Sequence, residues 1–538
     1  DWRLAFARQG IERVTGWEFQ VDDLVDLRLA RHGVVGWTMG LGKTRGALCL
    51  CLSGGDHNLI MVEAGLVGEL IEQIGEVGLD DSLWQVITRP EDCESLRKIN
   101  IISYSRARMP VTPGAGRRTF ARLLRRRIHT LVSDEAHLLR APDTEQSRAV
   151  HMISPKCRFL MTGTPVANYV RDLLNLVRYV GGDGTAVQPY GLHHPHVTQE
   201  LLQDMTMAAR GTDVFRDRHV VTEWVTHTFE DNLTRGAKRE VPKVRNLGQL
   251  RTWASPFVLR RVAGEPEVAK YVRTPPHSVV HHEVPWDDAH LAYWLTVADD
   301  FGAWYRDMRA KQGARGIQVN LVALLARIGA VQMAGNYPQH NVPGFPYRGG
   351  LTSKQRALVD RAAQLTEEGH KSVVFVKNPG MANLVAAQLQ RRGIEAISFT
   401  GETSVADRRA LLKRFRSTNV PVMAATYGVG GVGLNIPEAD RALFGARSWT
   451  TKEENQARGR LLRPQQTRNV VFETFELLGS LDTYQAMMLQ FKNDATNAAV
   501  DFLEPQLEEA EFPARHDHPR FPPERAPWLS TTYVFPRP

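Results

Sequence analysis

The sequence predicts an α/β protein with two lobes, each built on a parallel β-sheet that carries helices on both faces. Two series of short apolar runs alternate with helix-like segments, one in the first third of the chain and one beginning near residue 372. Such alternation indicates a parallel sheet, because each parallel connection needs a crossover segment. A long and mostly helical stretch, about 170–350, separates the two series and divides the chain into lobes.

The expected strands are apolar runs that end at turn residues or polar loops. In the first lobe they are Val34–Trp37, Leu59–Val62, Ile101–Ser103, Thr130–Ser133 and Phe159–Thr162. In the second lobe they are Ser372–Val376, Glu395–Phe399, Val420–Ala424, Arg441–Phe444 and Asn469–Thr474. One further strand-like run, Ser278–Val284, lies in the stretch between the lobes.

We place the boundaries of these units where the pattern changes. The first lobe takes residues 1–255, with a helical insertion at about 170–255, and an inter-lobe linker with a helical protrusion takes 256–350. The second lobe takes residues 351–502. Residues 503–538 are rich in proline and charge, which predicts a tail that follows the surface or is partly disordered.

The composition is that of an ordinary globular protein, since 43 % of the 538 residues are hydrophobic and 23 % are charged. The four cysteines show no paired metal-ligand spacing and do not indicate a disulfide framework, which fits a reducing compartment. No apolar stretch reaches the length of a transmembrane helix, and no signal peptide is evident. The net charge of +8 permits a polyanionic partner without identifying one.

The most informative stretch lies between an apolar strand and a helix-like run, and consists of Met39, Gly40, Leu41, Gly42, Lys43 and Thr44. Glycines allow the backbone to approach phosphates closely, and the amides at the following helix N-terminus face the anion. A lysine here reaches the β- and γ-phosphates, and a threonine hydroxyl holds Mg²⁺. The stretch departs once from the pattern G-x-x-x-x-G-K-[ST], because Trp37 stands where the first glycine belongs. The alternative is a glycine-rich turn with a solvated lysine.

A second chemical element lies at residues 131–137, where the apolar run Leu-Val-Ser ends in Asp-Glu-Ala-His. Phosphate chemistry uses two carboxylates in this place, because one completes the Mg²⁺ shell and its neighbour orients the attacking water. We assign Asp134 to Mg²⁺, together with Thr44, and Glu135 to the water. A surface turn is the alternative for an isolated Asp-Glu pair.

The Asp-Glu-Ala-His element, joined to the glycine loop, resembles the superfamily 2 helicases. Residues 162–165 read Thr-Gly-Thr-Pro, which is similar to the Swi/Snf-type double-stranded DNA translocases, and Phe257–Arg261 resembles an element at the end of that family's first lobe. The resemblance covers about residues 15–490, with the motifs in family order. It implies two tandem RecA-like lobes with an ATP cleft at their interface, and it favours a small bacterial or phage member. The family's glycine loop commonly lacks the first glycine, which accounts for Trp37.

An arginine motif lies in the second lobe, where residues 456–463 read Gln-Ala-Arg-Gly-Arg-Leu-Leu-Arg and match the superfamily pattern Q-x-x-G-R-x-x-R. Arg460 and Arg463 are three residues apart, so we expect them on one helix face. An arginine that reaches the γ-phosphate from across a cleft raises the rate by about 10³–10⁵. We expect Arg463 to be this arginine finger, with Arg460 beside it. An exposed basic helix is the alternative.

The resemblance implies roles for further residues. Gln20 corresponds to a residue that reads adenine, and Gly431 lies in a glycine-rich element at 425–435 that couples the DNA strand to the ATP site. Gln456, which opens the arginine motif, completes the expected nucleotide-binding set. The expected nucleic-acid contacts are Ser103, Tyr104, Thr400 and Thr426.

Together these elements predict a motor that uses ATP and Mg²⁺ to translocate along duplex DNA and to remodel DNA structures or displace bound proteins. Most contacts should go to DNA phosphates, so binding should show little sequence specificity and strong salt dependence. A strand-separating or annealing helicase at branched DNA shares the same motifs and stays open as an alternative. So does an ATP-gated DNA-binding module in which hydrolysis is incidental. We expect a cytoplasmic location in a bacterial or phage-infected cell, or the nucleus of a eukaryotic source, and no membrane partner.

Overall fold

The computed structural model describes residues 11, 14, 16–112, 118–166, 170–181, 190, 211–229, 232–272, 275–315, 321–340, 342–427, 436–448, 451–463, 466–483 and 485–486. The strands of these residues are β1 His32–Trp37, β2 Asn58–Val62, β3 Trp84–Val86, β4 Ile99–Ser103, β5 Thr130–Ser133, β6 Cys157–Met161, β7 Val220–Phe229, β8 Asn232–Val244, β9 Val258–Arg261, β10 His277–Val284, β11 Ser372–Val376, β12 Ala396–Phe399, β13 Val422–Thr426, β14 Arg441–Phe444 and β15 Val470–Leu477.

The α-helices of the described residues are α1 Glu18–Ala30, α2 Lys43–Leu52, α3 Val67–Glu76, α4 Tyr104–Arg108, α5 Phe120–Leu124, α6 Glu145–Met152, α7 Arg171–Gly181, α8 Gly211–His219, α9 Leu247–Ala254, α10 Pro266–Ala269, α11 Asp288–Arg315, α12 Leu321–Asn336, α13 Ser353–Glu367, α14 Pro379–Arg391, α15 Val405–Ser417 and α16 Thr451–Leu461. Short 3₁₀ turns lie at Ala64–Leu66, Asp81–Leu83, Pro90–Cys93, Ala136–Leu139 and Pro338–His340. Within the part of the chain that the structure describes, every helix is too short or too polar to cross a lipid bilayer.

Two parallel sheets carry the fold. The first has the strand order β3-β4-β2-β5-β6-β1-β9 and the second the order β10-β15-β14-β11-β13-β12. Every neighbouring pair in both sheets is parallel. In the first sheet a single strand, β6, separates β1 from β5. The loops that follow β1 and β5 therefore emerge near each other at the carboxyl edge of the sheet, where α/β folds commonly bind ligands.

Each sheet is covered on both faces, which is why its strands are apolar throughout. Along β2, Leu59 and Met61 belong to one hydrophobic core while Ile60 and Val62 belong to the other. The second sheet repeats this arrangement, with alternate residues of β11 in two separate cores. A strand that is buried on both faces has a continuous apolar sequence rather than an alternating one. The expected fold class, two RecA-like α/β lobes, is thereby confirmed.

The paired helices α11 and α12 form a protrusion whose base is tied to the second lobe. Their core contains Trp294 and Phe301 and also includes Leu481, which follows β15. The ammonium of Lys354 is fully buried and donates to Asn336 Oδ1 at 2.7 Å and to Asp482 Oδ2 at 2.6 Å. These contacts join the end of α12, the start of α13 and the segment after β15, so the base of the protrusion is built into the second lobe.

The expected strands are present, with ends that differ by a few residues. The assignment of strands to lobes was wrong in part. Residues 258–261 form β9 beside β1, so the first sheet extends beyond the expected boundary at 255. The run expected in the linker at 278–284 forms β10 and pairs with β15 of the second lobe. The insertion expected to be helical contains the antiparallel hairpin β7–β8. A local apolar pattern shows that a strand forms but not which partner it finds. The remaining domain limits stay predictions, and the proline-rich tail at 503–538 lies outside the described residues.

Candidate active site at the cleft between the lobes

The glycine loop joins β1 to α2, as expected. Gly40 and Gly42 have φ values of 85° and 76°, a left-handed backbone that favours glycine. A β-carbon at Gly42 would lie 2.5 Å from Gln20 Nε2, so a side chain there would also collide with its neighbour. The helix α2 begins directly at Lys43, which leaves the amides of its first turn free to face an anion at the loop.

Trp37 occupies the position of the missing first glycine and has a structural role there. Its indole Nε1 donates to Asp23 Oδ2 at 2.8 Å, and the same carboxylate accepts from Arg261 NH2 at 2.6 Å. Burial raises the pKa of Asp23, while Arg261 and Trp37 oppose this effect. The ring packs edge-on against Phe19, and a β-carbon at Gly46 would lie 3.0 Å from it. Trp37 therefore locks α1, β1 and β9 together beneath the loop.

Lys43 points back across the mouth of the loop. Its ammonium donates to Trp37 O at 3.1 Å and to Thr38 O at 3.2 Å, and it lies 3.5 Å from where a β-carbon of Gly163 would stand. Burial lowers the pKa of Lys43, and the carboxylates of Glu135 and Asp134 oppose this effect. The lysine thus lies among the loop, the acidic pair and the Thr-Gly-Thr-Pro element, where a phosphate would meet all three.

The acidic pair follows β5 in a turn with an unusual backbone. Glu135 adopts φ 48° and ψ 44°, a left-handed conformation that costs a residue other than glycine about 1–3 kcal/mol and clusters at functional sites. Asp134 Oδ1 accepts from the amide of Glu135 at 2.9 Å, and Asp134 O accepts from the hydroxyl of Tyr104 at 2.6 Å. Burial and the neighbouring Glu135 raise the pKa of Asp134 to about 7, which Lys43 partly offsets. A nearby cation therefore stabilises the ionised form of the Asp134 carboxyl.

Arg260 ties the Thr-Gly-Thr-Pro element to the first strand. Its NH1 donates to Gly36 O at 2.7 Å and to Gly163 O at 3.0 Å. The turn itself is closed by the amide of Thr164, which donates to Thr162 Oγ1 at 3.1 Å. Arg260 and Arg261, which we noted in the sequence without a role, therefore fix the floor of the site. Asp23 was missed altogether, because a buried acid on a helix gives no local signal.

The arginine motif of the second lobe reaches this site. A β-carbon at Gly459 would lie 2.9 Å from Met39 Sδ, so α16 approaches the glycine loop so closely that a side chain here would require Met39 to shift. Arg460 is the last-but-one residue of α16, whereas Arg463 lies beyond its end. The expectation that both arginines share one helix face was wrong. The signal was present, since Pro464 follows Arg463 and disfavours helix at the preceding residue.

The guanidinium groups of Arg460 and Arg463 are largely removed from water, and each keeps a hydrogen-bond donor that has no partner among the described residues. The Nε atoms of Arg460 and Arg463 are buried and have no hydrogen-bond partner among the described residues. Burial lowers the pKa of Arg460 to about 10, and so does Arg463 beside it, while Glu69 and Glu135 oppose this change. Burial also lowers the pKa of Arg463, which Glu69 opposes. Planar guanidinium groups in such surroundings are suited to bind an anion.

The remaining nucleotide-binding residues are placed less directly. Gln20 is 1 % exposed, and its Nε2 donates to Leu41 O at 2.8 Å, so it supports the loop from behind. Gln456 lies on α16 one turn before Arg460, and Thr44 lies in the first turn of α2. Gly431 lies outside the described residues. A direct contact of Gln20, Gln456 or Thr44 with a ligand stays a prediction.

Three of the four expected nucleic-acid contacts are buried. Tyr104, Thr400 and Thr426 are 1 %, 3 % and 6 % exposed. Tyr104 supports Asp134 from below, so its assignment as a surface contact was wrong in this conformation. Ser103 is partly exposed, but its hydroxyl accepts from the amide of Arg106 at 3.1 Å and caps α4. These residues end strands, and strand ends lie beneath the loops that cover them.

Comparisons with known proteins agree with the arrangement of the two lobes. A family model described as SNF2-related domain matches residues 72–188, and one described as helicase conserved C-terminal domain matches residues 353–465. Together the two matches support a Swi/Snf-type ATPase of helicase superfamily 2. The first match contains the acidic pair and the second contains the arginine motif.

Two relatives set the scale of the similarity. This Swi/Snf-type chain is 24 % identical over 459 residues to the "Probable global transactivator" of Orgyia pseudotsugata multicapsid polyhedrosis virus, covering 82 % of this chain and 81 % of the relative. It is 23 % identical over 350 residues to the ISWI chromatin-remodeling complex ATPase ISW2 of Saccharomyces cerevisiae, covering 63 % of this chain. The chain spans only 27 % of the length of that yeast protein.

A solved structure is also similar. The Sulfolobus solfataricus SWI2/SNF2 ATPase core in complex with dsDNA is 17 % identical, with a TM-score of 0.37, and the match covers 92 % of this chain and 96 % of that one.

Proposed function

We propose that this Swi/Snf-type chain hydrolyses ATP in the cleft between its lobes and uses the energy to translocate along duplex DNA. The observation that supports this most is the meeting of two distant chain segments. A β-carbon at Gly459, the residue before Arg460 in the second lobe, would lie 2.9 Å from Met39 Sδ in the glycine loop of the first lobe. A site assembled from both lobes forms only when they close, which couples hydrolysis to lobe movement.

The residues fit the roles that phosphate chemistry requires. Lys43 and the amides of the first turn of α2 bind the phosphates, and Glu135 orients the attacking water. Thr44 and Asp134 hold Mg²⁺, which when bound neutralises phosphate charge. The raised pKa of Asp134 fits this, because a buried carboxyl crowded by another acid favours a cation.

Arg463 and Arg460 neutralise charge that develops on the transferred phosphoryl group. Both approach from across the cleft, and neither is consumed by a hydrogen bond at Nε within the described chain. Interactions that strengthen only in the transition state raise kcat rather than binding. The two lobes therefore divide the work: the first holds the nucleotide and the second accelerates its hydrolysis.

Duplex DNA as the track is proposed from family membership. This proposal is tested by measuring the ATPase rate with duplex DNA, forked DNA, single-stranded DNA and RNA at equal nucleotide concentration. We expect duplex DNA to stimulate most, with a stimulation that falls steeply as salt rises. A preference for RNA would contradict the proposal.

Two further measurements separate the alternatives. Displacement of a third strand from a triplex, without release of a labelled strand from a fork, is expected for a translocase. Release from the fork would favour the helicase alternative. DNA binding that is indifferent to Lys43→Ala, without stimulated hydrolysis in the wild type, would favour the ATP-gated binding module. Arg45→Ala, an exposed change on the same helix, is the matched control.

A further inference from the structure

The helix that carries the arginine motif, α16, is held at its start by buried charges that neither the motifs nor the proposed chemistry uses. We propose that Glu454 is a positioning residue for Arg460 and Arg463, because it fixes the start of α16 to the second sheet. The proposal rests on the proposed ATPase function and adds a residue that decides where the arginines stand. Glu454 lies in the first turn of α16, whereas the arginines lie near and beyond its end.

Glu454 is the centre of a buried ion network. Its Oε2 accepts from Arg447 NH1 at 3.2 Å, and its Oε1 accepts from the amide of Ser448 at 3.4 Å. The Nε of Arg447 in turn lies 3.4 Å from Oε1 of a second acid, Glu476. The two carboxylates and the guanidinium are each at most 6 % exposed. Three charged side chains therefore compensate one another in a place that water hardly reaches.

The network joins three elements of the second lobe. Arg447 follows β14, Glu476 lies near the end of β15, and Glu454 belongs to α16. The strands β14 and β15 are parallel neighbours, so the start of α16 is fixed to the carboxyl ends of both. The hydroxyl of Tyr427, which follows β13, donates to Ala446 O at 2.7 Å and holds the segment that carries the guanidinium.

The next turn of α16 also rests on the second sheet. Arg458 NH2 lies 4.0 Å from Glu454 Oε2, and the same guanidinium stands 5.4 Å from the centre of the Phe472 ring on β15. The residue that follows, Gly459, approaches Met39 of the first lobe. The helix thus connects the sheet of its own lobe to the glycine loop, and a tilt at its start would move the arginines at its other end.

Loss of one charge from the network should cause such a tilt. A buried ion pair that loses one partner leaves an uncompensated charge, so Arg447 would turn towards water and the start of α16 would shift with it. A misplacement of about 1 Å can lower a reaction rate by about 10²-fold. Because the loop that binds ATP belongs to the first lobe, the shift should affect kcat and not the KM for ATP.

The first test compares Glu454→Gln with Glu453→Gln, an exposed change in the same helical turn. Glu454→Gln should lower kcat by about tenfold and leave the KM for ATP unchanged, whereas Glu453→Gln should leave both unchanged. In an Arg463→Ala background, Glu454→Gln should cause a much smaller further loss, since the arginine that it positions is gone. Single-turnover hydrolysis measures the rates in that background.

A second measurement reports the position of α16 without turnover. A β-carbon at Gly459 would stand 3.8 Å from Met39 Cβ, which is the usual separation of the β-carbons in a disulfide. Met39→Cys combined with Gly459→Cys should therefore cross-link the lobes under mild oxidation, while the native cysteines are buried. Adding Glu454→Gln should slow the cross-linking severalfold, and adding Glu453→Gln should not.

Equal cross-linking rates with and without Glu454→Gln would overturn the proposal. A kcat loss of the same factor in the wild-type and Arg463→Ala backgrounds would also overturn it, because a general loss of structure acts in both. If the wild type hydrolyses no ATP with any nucleic acid, the proposed function fails. The cross-linking rate still tests Glu454 in that case, because it does not depend on hydrolysis.

Discussion

In the first lobe, the nucleotide loop is held by side chains of its own lobe: Gln20 donates to Leu41 O, Trp37 to Asp23, and Arg260 to Gly36 O. In the second lobe, the arginines that face the same cleft keep buried Nε atoms without a partner among the described residues. The side chains that hold the loop are hydrogen-bonded within the first lobe before any ligand binds, whereas the arginines of the second lobe retain unused donors at Nε. The first lobe is thus a preformed cradle, whereas the second provides interactions that only a bound phosphate completes.

This difference between the lobes matches the different requirements of ligand binding and of transition-state stabilisation. A binding loop gains from preorganisation, because little ordering then remains to be done when the ligand arrives. Groups that stabilise a transition state must be unsaturated until that state forms. The lobes can therefore be probed separately, and the following changes should affect binding, stability or turnover in different proportions.

The largest effect is expected from the second lobe. Arg463→Ala should lower DNA-stimulated kcat by about 10³–10⁵ while ATP binding changes little, because an arginine finger acts mainly on the transition state. Lys43→Ala should instead weaken ATP binding itself. Stopped-flow turnover and binding of a fluorescent ATP analogue separate the two. Arg468→Ala, an exposed arginine beyond the motif, is the control. If Arg463→Ala abolished ATP binding as Lys43→Ala does, the division of labour would be wrong.

The preformed state of the first lobe is tested by restoring the glycine that the loop pattern calls for. Trp37→Gly should destabilise the lobe by about 3–5 kcal/mol, because it empties a packed site and removes the indole donor to Asp23, which keeps only Arg261. Trp37→Phe keeps the buried ring and loses the hydrogen bond, so it should cost about 1–3 kcal/mol. Urea unfolding measures both. A Trp37→Gly protein as stable as wild type would show that the loop does not depend on this anchor.

The acidic pair predicts a pH dependence of metal binding. Burial and Glu135 raise the pKa of Asp134 to about 7, so below that pH its carboxyl is increasingly protonated and cannot bind a cation. Affinity for Mn²⁺, an EPR-visible substitute for Mg²⁺, should increase by up to about tenfold per pH unit from pH 5.5 towards 7 and then level off. The nucleotide-free protein is used, because ATP titrates in the same range. Asp134→Asn should remove the dependence, and an affinity constant over this range would contradict the assignment.

The smallest effect concerns the contact between the halves. Gly459→Ala places a β-carbon 2.9 Å from Met39 Sδ, which is too close for a relaxed contact, so the arginines should be pushed away from the loop. We expect kcat to fall severalfold with little loss of stability, since the methionine end is flexible. Met39→Ala should restore the rate in the double variant, which is a coupling that a double-mutant cycle measures. Additive effects of the two changes would place the contact elsewhere.

The strands of both lobes could be predicted because each is a short apolar run buried on both faces. The sheet that each strand joins could not be predicted, because the partners of a strand are remote in the chain. The strands β9 and β10 are examples. Among site residues, Lys43, Asp134, Glu135 and Arg460 follow spacings that phosphate chemistry constrains. Asp23 follows none, because what matters for it is the charge of Arg261, which approaches from another element. Tyr104 was expected to contact nucleic acid although it is buried, because burial depends on segments that are remote in the chain.

By itself, the sequence determined which residues could cradle, polarise and neutralise a phosphate, because glycine loops, acidic strand ends and paired arginines are local patterns. The tertiary structure decided how they meet. It placed Trp37 as an anchor where a glycine was expected and brought α16 against Met39. Each of these depends on contacts between segments hundreds or tens of residues apart, and burial then sets the charge state of the groups that meet. Local spacing carries no information about such contacts.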